Sequence, residues 1–230
     1  MPRPALKKLS PKKQAVVVLA ALEALYPTVR CGLNFRDPYE LIVATVLSAQ
    51  CTDARVNLIT PELFACFPDA ASLALADGEQ VERLIHSAGF FRAKAKNLIA
   101  MANMLVEHYH GQVPADLDAL TALPGVGRKT ANVVLGNAFA IASGVVVDTH
   151  VKRLSYRLGL TARTDPVQIE YELNAILPRS AWVDFSHRLI AHGRKTCRAP
   201  RPLCHACALL SICPRNGLPA LKPLESTDHP

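Results

Sequence analysis

Four cysteines, Cys197, Cys204, Cys207 and Cys213, follow one another with the spacing C-x6-C-x2-C-x5-C. Thiolates are soft ligands, and four that converge satisfy either a tetrahedral zinc ion or a four-iron, four-sulfur cluster. Zinc folds usually present two tight pairs. Here a single C-x2-C lies between longer loops, stiffened by Pro200, Pro202 and Pro214, and this wraps a larger object. The spacing therefore favours the iron–sulfur cluster over zinc. Cys31, Cys51 and Cys66 show no ligand spacing and read as small buried hydrophobes. An odd total of seven cysteines, in a chain long enough to bury its own core, argues against a secreted disulfide scaffold. Arg198 and Arg201 stand between the first two cysteines. A loop stiffened by a cluster would hold both guanidinium groups towards one surface, where phosphates are the natural partner.

The second constellation is Leu123-Pro124-Gly125-Val126-Gly127-Arg128-Lys129-Thr130-Ala131. Pro124 presets a turn, and two glycines permit close backbone approach. A helix then begins, with Ala131, Val134, Leu135 and Ala138 on its buried side. The amides of Gly125 and Gly127 at such a helix start make an anion site; helix capping alone explains them equally well. The stretch is not a P-loop, because G-x-x-x-x-G-K-[ST] is missing. Read without further context, Lys129 is a phosphate-contacting or solvated lysine. Asp148 follows three valines and precedes a helix expected over 149–159, where its plain role is an N-cap. His150, beside it, reads as structural.

These residues need elements to hold them, and the periodicity is helical. Ala95, Leu98, Ile99, Ala102, Leu105, Val106 and Tyr109 form one apolar stripe. Val81, Leu84, Ile85 and Ala88 form another, ending at Gly89. Ile169, Leu173, Ile176 and Leu177 form a third, between an Asp165-Pro166 start and Pro178. Val145-Val146-Val147 is the best strand signal and is too short to build a sheet. The expected fold is all-α. Residues 1–13 read as a loose basic arm, with a first helix from Pro11 to about Tyr26. Residues 214–230 read as a tail with little reason to order, and Ala142-Ser143-Gly144 as a division between two parts.

Composition narrows the classes. Of 230 residues, 50% are hydrophobic and 20% charged, which is globular rather than disordered. The longest unbroken apolar run, Ala15 to Leu22, has eight residues, far short of the roughly 20 that a membrane helix needs. The net charge is +7, and from Leu173 to Arg215 seven basic residues face one acid, Asp184. Clustered charge of one sign attracts a polyanion, most often nucleic acid.

Taken together, these stretches resemble the endonuclease III-like DNA glycosylases. Leu-Pro-Gly-Val-Gly followed by Lys-Thr-Ala is similar to that family's helix-hairpin-helix, and Val147-Asp148-Thr149-His150 to its catalytic-aspartate segment. The cysteine spacing is similar to its cluster loop, and Leu47-Ser48-Ala49-Gln50-Cys51-Thr52-Asp53 to its Leu-Ser-Ala-Gln-x-Thr-Asp stretch. The four matches keep the family's order between positions 47 and 213. The resemblance implies two helical domains with DNA in a cleft between them. One is a six-helix barrel over 31–141 carrying the hairpin; the other, over 1–30 and 142–230, carries a [4Fe-4S] cluster.

It further implies a base-excision-repair enzyme that removes oxidised pyrimidines and cleaves the abasic site. Lys129 would be the nucleophile and Asp148 the carboxylate that stabilises an oxocarbenium-like centre. An amine must be neutral to attack, and Arg128, the helix start and desolvation on DNA all favour that form. Gln50 is then the residue that fills the gap left by a flipped base. Alignment through Gly89 puts Phe90 in the family's second wedge, with Ala88 before it, where the family usually carries leucine and isoleucine. Gly125, Gly127, Arg128, Arg198 and Arg201 complete the expected DNA contacts. The partner is damaged double-stranded DNA and not a membrane. The expected state is a monomer, in the bacterial cytoplasm beside the nucleoid or wherever the genome is held. Two other readings fit parts of the pattern. A monofunctional mismatch adenine glycosylase lacks the lysine and carries an extra C-terminal domain; a non-catalytic helix-hairpin-helix iron–sulfur protein would only bind DNA.

Overall fold

The computed structural model describes residues 9–221. Among them the ordered elements are all helical: α1 (Pro11–Leu25), α2 (Pro38–Leu47), α3 (Asp53–Cys66), α4 (Ala70–Ala74), α5 (Gly78–Leu84), α6 (Phe91–Tyr109), α7 (Leu117–Ala122), α8 (Arg128–Ala138), α9 (Thr149–Arg157), α10 (Pro166–Ile176) and α11 (Trp182–Lys195). Short 3₁₀ turns at Arg179–Ala181 and Cys204–Ala206 complete them. The three valines at 145–147 are buried but form no strand.

The helix starts are written locally. Asp37, Asp69, Asp77, Asp116, Asp148 and Asp165 each accept a backbone N–H from the first turn of the helix they precede. Thr52 does the same for α3. A side-chain oxygen here satisfies a donor the helix leaves unpaired, and proline at the start of α1, α2 and α10 gives up an N–H that had no use there.

The residues divide into two compact units. One comprises Arg30–Val146; the other joins the residues up to Val29 with those from Val147 onward. In the Arg30–Val146 unit, α2 is buried along its length from Tyr39 to Leu47. A helix buried on all sides is a central helix, and α3, α6 and α8 pack against it. Leu41, Ile42, Leu98, Leu105, Val134 and Leu135 belong to this core. In the other unit, α11 packs on α1 and α9, and α1 also meets α10. Phe185, Leu189, Leu154 and Leu22 are fully buried there.

Several expectations are corrected. The basic arm and the tail lie partly outside the described residues, but 214–218 are not loose. Asn216 donates its backbone N–H to the Arg157 carbonyl at 3.2 Å and its side-chain amide to Tyr156 at 3.0 Å. Gly159 lies so close to Pro214 that a Cβ there would come within 3.0 Å of it. The chain thus folds back on the end of α9. Cys66 is exposed and Cys31 and Cys51 are half-buried, so none of the three is a buried hydrophobe. Cys66 is the last residue of α3 and is exposed, although Leu63, one turn before it, is buried. Ala138, at the end of α8, is half-buried rather than core.

Candidate functional site

The turn from Leu123 to Gly127 joins α7 to α8. Leu123 and Val126, 2% and 5% exposed, anchor it in the core, and the Val126 N–H donates to the Leu123 carbonyl at 3.1 Å. The two glycines are not equivalent. Gly125 has φ +76, and a Cβ there would come within 3.0 Å of the Asn97 side chain on α6. Only glycine fits that conformation without strain. Gly127 has extended backbone as the N-cap of α8 and open space where a Cβ would be. The fold does not require glycine at 127; a partner approaching from outside would. Arg128 follows half-buried, and Lys129 is exposed on the first turn of α8.

Asp148 is the N-cap of α9, accepting the Val151 N–H at 2.8 Å. It is half-buried and directly follows the buried Val147. Lys129 belongs to the Arg30–Val146 unit and Asp148 to the other.

The structure brings Gln50 and the Phe90 turn together. Both residues adopt left-handed backbone, with φ 53 and φ 58. Phe90 is 69% exposed while Ala88 is fully buried, so of these two side chains the aromatic ring stands out from the turn. Between them Gly89 faces the Gln50 carbonyl, 3.6 Å from where its Cβ would be. Beneath lies Lys94, which the sequence did not single out. It is 6% exposed, and its Nζ donates to the carbonyls of Leu47 at 2.8 Å and Ala49 at 2.7 Å. Burial pulls its pKa below the ordinary 10.5. Its backbone N–H donates to the Phe90 carbonyl at 3.1 Å. One residue therefore ties down both turns.

All four cysteines line one cavity, with leucines such as Leu154, Leu158 and Leu209 and the polar Arg157, His192, Thr196 and Arg215 also in its wall. Among the described residues no three His, Cys, Asp or Glu are disposed to hold a single metal ion. Burial raises the Cys207 thiol and pushes Cys213 up to about 11. Left alone, such thiols keep their protons at neutral pH; a bound metal centre takes the proton's place. Donors are ready for the sulfurs: Arg157 Nη1 lies 3.4 Å from Cys197 Sγ, and His192 Nε2 3.5 Å from Cys207 Sγ. This donor set fits an iron–sulfur cluster.

Arg153 and Arg157, one turn apart on α9, are further residues the sequence reading missed. Arg157 donates to the carbonyls of Arg198 and Ala199 at 2.8 and 2.9 Å, and Arg153 to that of Cys197 at 3.0 Å. They hold the loop from which the exposed Arg198 and Arg201 rise. The only hint in the sequence was two arginines at i and i+4 on a helix preceding the cysteine loop. The His150 Nδ1 lies 3.2 Å from Arg153 Nη2, and Gly193 on α11 leaves room for both side chains.

Residues 43–179 match the family model of the HhH-GPD superfamily base excision DNA repair protein. The chain is 53% identical over 210 residues to Endonuclease III of Synechocystis sp., covering 91% of this chain and 96% of that protein. With Endonuclease III of Escherichia coli strain K12 it shares 39% over 202 residues, 88% of this chain and 95% of that one. Among solved structures, a trapped Endonuclease III–DNA covalent intermediate, an estranged-adenine complex, superposes with TM-score 0.86 and 41% identity, covering 90% of this chain and 97% of that one. A thermostable thymine-DNA glycosylase, 22% identical with TM-score 0.76, shares the fold.

Proposed function

The chain belongs to the HhH-GPD superfamily of base excision DNA repair proteins, and from that membership we propose how it works. It is a DNA glycosylase and abasic-site lyase of the Endonuclease III kind. Its substrate class is oxidised pyrimidines in duplex DNA, on which it acts as a monomer where the genome is held. The observation that carries the reading is an exposed lysine, Lys129, on the first turn of α8 behind a glycine turn whose outer face is open. It is supported by 41% identity to an Endonuclease III trapped covalently on DNA.

The damaged nucleotide is swung out of the stack, at a cost of a few kcal/mol. Gln50 and the Phe90 ring fill the gap left behind. The left-handed turns that present them are held from below by Lys94, so these side chains meet the duplex already in place. Gly125, Gly127 and Arg128 receive phosphate at the start of α8, where the positive end of the helix dipole favours an anion. Arg198 and Arg201 add phosphate contacts from the cysteine loop.

The Lys129 amine attacks C1′ of the extruded nucleotide. The new N–C1′ bond forms as the base departs with the bonding electrons and takes up a proton. The Asp148 carboxylate stabilises the positive charge that develops at the sugar and accepts protons. Ring opening gives a Schiff base, loss of a 2′ proton expels the 3′ phosphate, and water releases Lys129. Cys197, Cys204, Cys207 and Cys213 would hold an iron–sulfur cluster, which would staple the C-terminal loop. Sulfurs set around a cavity suit a polynuclear cluster better than one zinc ion.

Borohydride trapping on a duplex with one abasic site tests this reading. Wild type should give a covalent adduct and Lys129→Gln none. No adduct from folded wild type overturns the lyase assignment.

A further inference from the structure

A chain of side-chain hydrogen bonds runs from the end of α1 to the cysteine loop. Tyr26 Oη lies 3.1 Å from His192 Nδ1, and His192 Nε2 lies 3.5 Å from Cys207 Sγ. The two rings meet edge to face with centroids 5.9 Å apart, and His192 is 3% exposed. Three segments distant in sequence thus converge on one sulfur.

Chemistry places the protons. A sulfur that ligates a metal accepts hydrogen bonds and does not donate them, so His192 Nε2 must carry the ring proton. That leaves Nδ1 as a bare acceptor, and the Tyr26 hydroxyl must donate to it. Metal-bound sulfurs are tuned by such partners, because a donor stabilises the electron-rich, reduced form.

We propose that Tyr26 and His192 are positioning residues for Cys207: Tyr26 fixes the His192 tautomer, and the resulting N–H···S bond raises the reduction potential of the cluster. The inference rests on the reading of the four cysteines as cluster ligands. It assigns a role to the α1 terminus, which contributes no ligand.

The test uses the full-length holoprotein. Iron and acid-labile sulfide are assayed first in wild type; their absence removes the cluster reading itself, and with it this one. With cluster present, the reduction potential is measured by spectroelectrochemistry for wild type, Tyr26→Phe, His192→Leu and His192→Gln. At a fixed potential, His192→Leu should raise the oxidised-to-reduced ratio about tenfold, which for a one-electron couple is a fall of about 59 mV. Tyr26→Phe keeps the ring and should move the potential the same way by less. His192→Gln keeps an N–H near the sulfur that needs no tautomer, so it should lie near wild type, and adding Tyr26→Phe to it should change nothing. Unmoved potentials in loaded Tyr26→Phe and His192→Leu overturn the proposal. So does a Tyr26→Phe shift that persists in the His192→Gln background. If His192→Leu fails to load, Tyr26→Phe decides alone.

Discussion

Lys94 on α6 caps the C-terminal end of α2, its buried ammonium donating to the Leu47 carbonyl at 2.8 Å across 47 positions of sequence. The second bond, to Ala49 at 2.7 Å, holds the residue just before Gln50. Lys94→Met keeps the length of the side chain and leaves both carbonyls without this donor. The expected cost is about 2 kcal/mol of stability, since each buried acceptor left unsatisfied costs about 1–3 kcal/mol. Denaturant unfolding measures it. Turnover of lesion-containing duplex should fall with it, whereas Lys96→Met, on the exposed side of the same helix, should change neither.

Asp148 caps a helix and is proposed to serve the reaction, and two substitutions separate these jobs. Asparagine caps as well as aspartate, while alanine costs about 1 kcal/mol at such a position. Asp148→Asn should therefore melt with wild type and lose base excision. Asp148→Ala should lose both, with a lower melting temperature. An active Asp148→Asn enzyme would show that the cap is the whole role.

Phe90 holds a left-handed backbone with φ 58 while presenting an exposed ring. For a residue with a side chain this conformation costs roughly 1–2 kcal/mol. Phe90→Gly should relieve it and raise stability by about 0.5–1 kcal/mol, yet weaken base extrusion. Thermal melting together with fluorescence of a 2-aminopurine opposite the lesion would show both changes. A variant less stable than wild type contradicts the strain argument.

The Glu172 carboxyl is held below its ordinary 4.5 by hydrogen bonds from the Thr161 hydroxyl and the Arg163 guanidinium. A carboxyl lowered in the folded state adds stability that is full above its unfolded value and is lost as pH falls through the folded one. The melting temperature of wild type should therefore exceed that of Glu172→Gln at pH 7. The gap should close in acid, below about pH 4.5. A gap that is constant with pH would mean that the carboxylate's charge contributes nothing.

Local rules made much of this legible. Asp148 and Asp165 read as helix starts because a cap acts within three residues of itself, and Gly125 read as a turn because its φ admits little else. The four cysteines declared one site by spacing alone. What stayed hidden depends on distant backbone. Lys94 finds its acceptors more than forty positions away, Arg157 finds its own in the cysteine loop, and Asn216 is held by the end of α9. None of these partners leaves a periodic mark in sequence. Cys66 departs from expectation for a related reason: cysteine as a type is usually buried, whereas this one ends α3 and is exposed.

Gln14 on α1 donates its side-chain amide to the Ile212 carbonyl at 2.6 Å, across 198 positions. A chain made from its N-terminus must therefore hold its first helix unpartnered while almost everything else is synthesised. Val18 and Leu22, fully buried in the finished protein, stay exposed until α10 and α11 emerge. The Arg30–Val146 unit, drawn from one unbroken run, has no such wait. The order of assembly on the ribosome is thus set by connectivity: the middle closes first, and the two ends meet last.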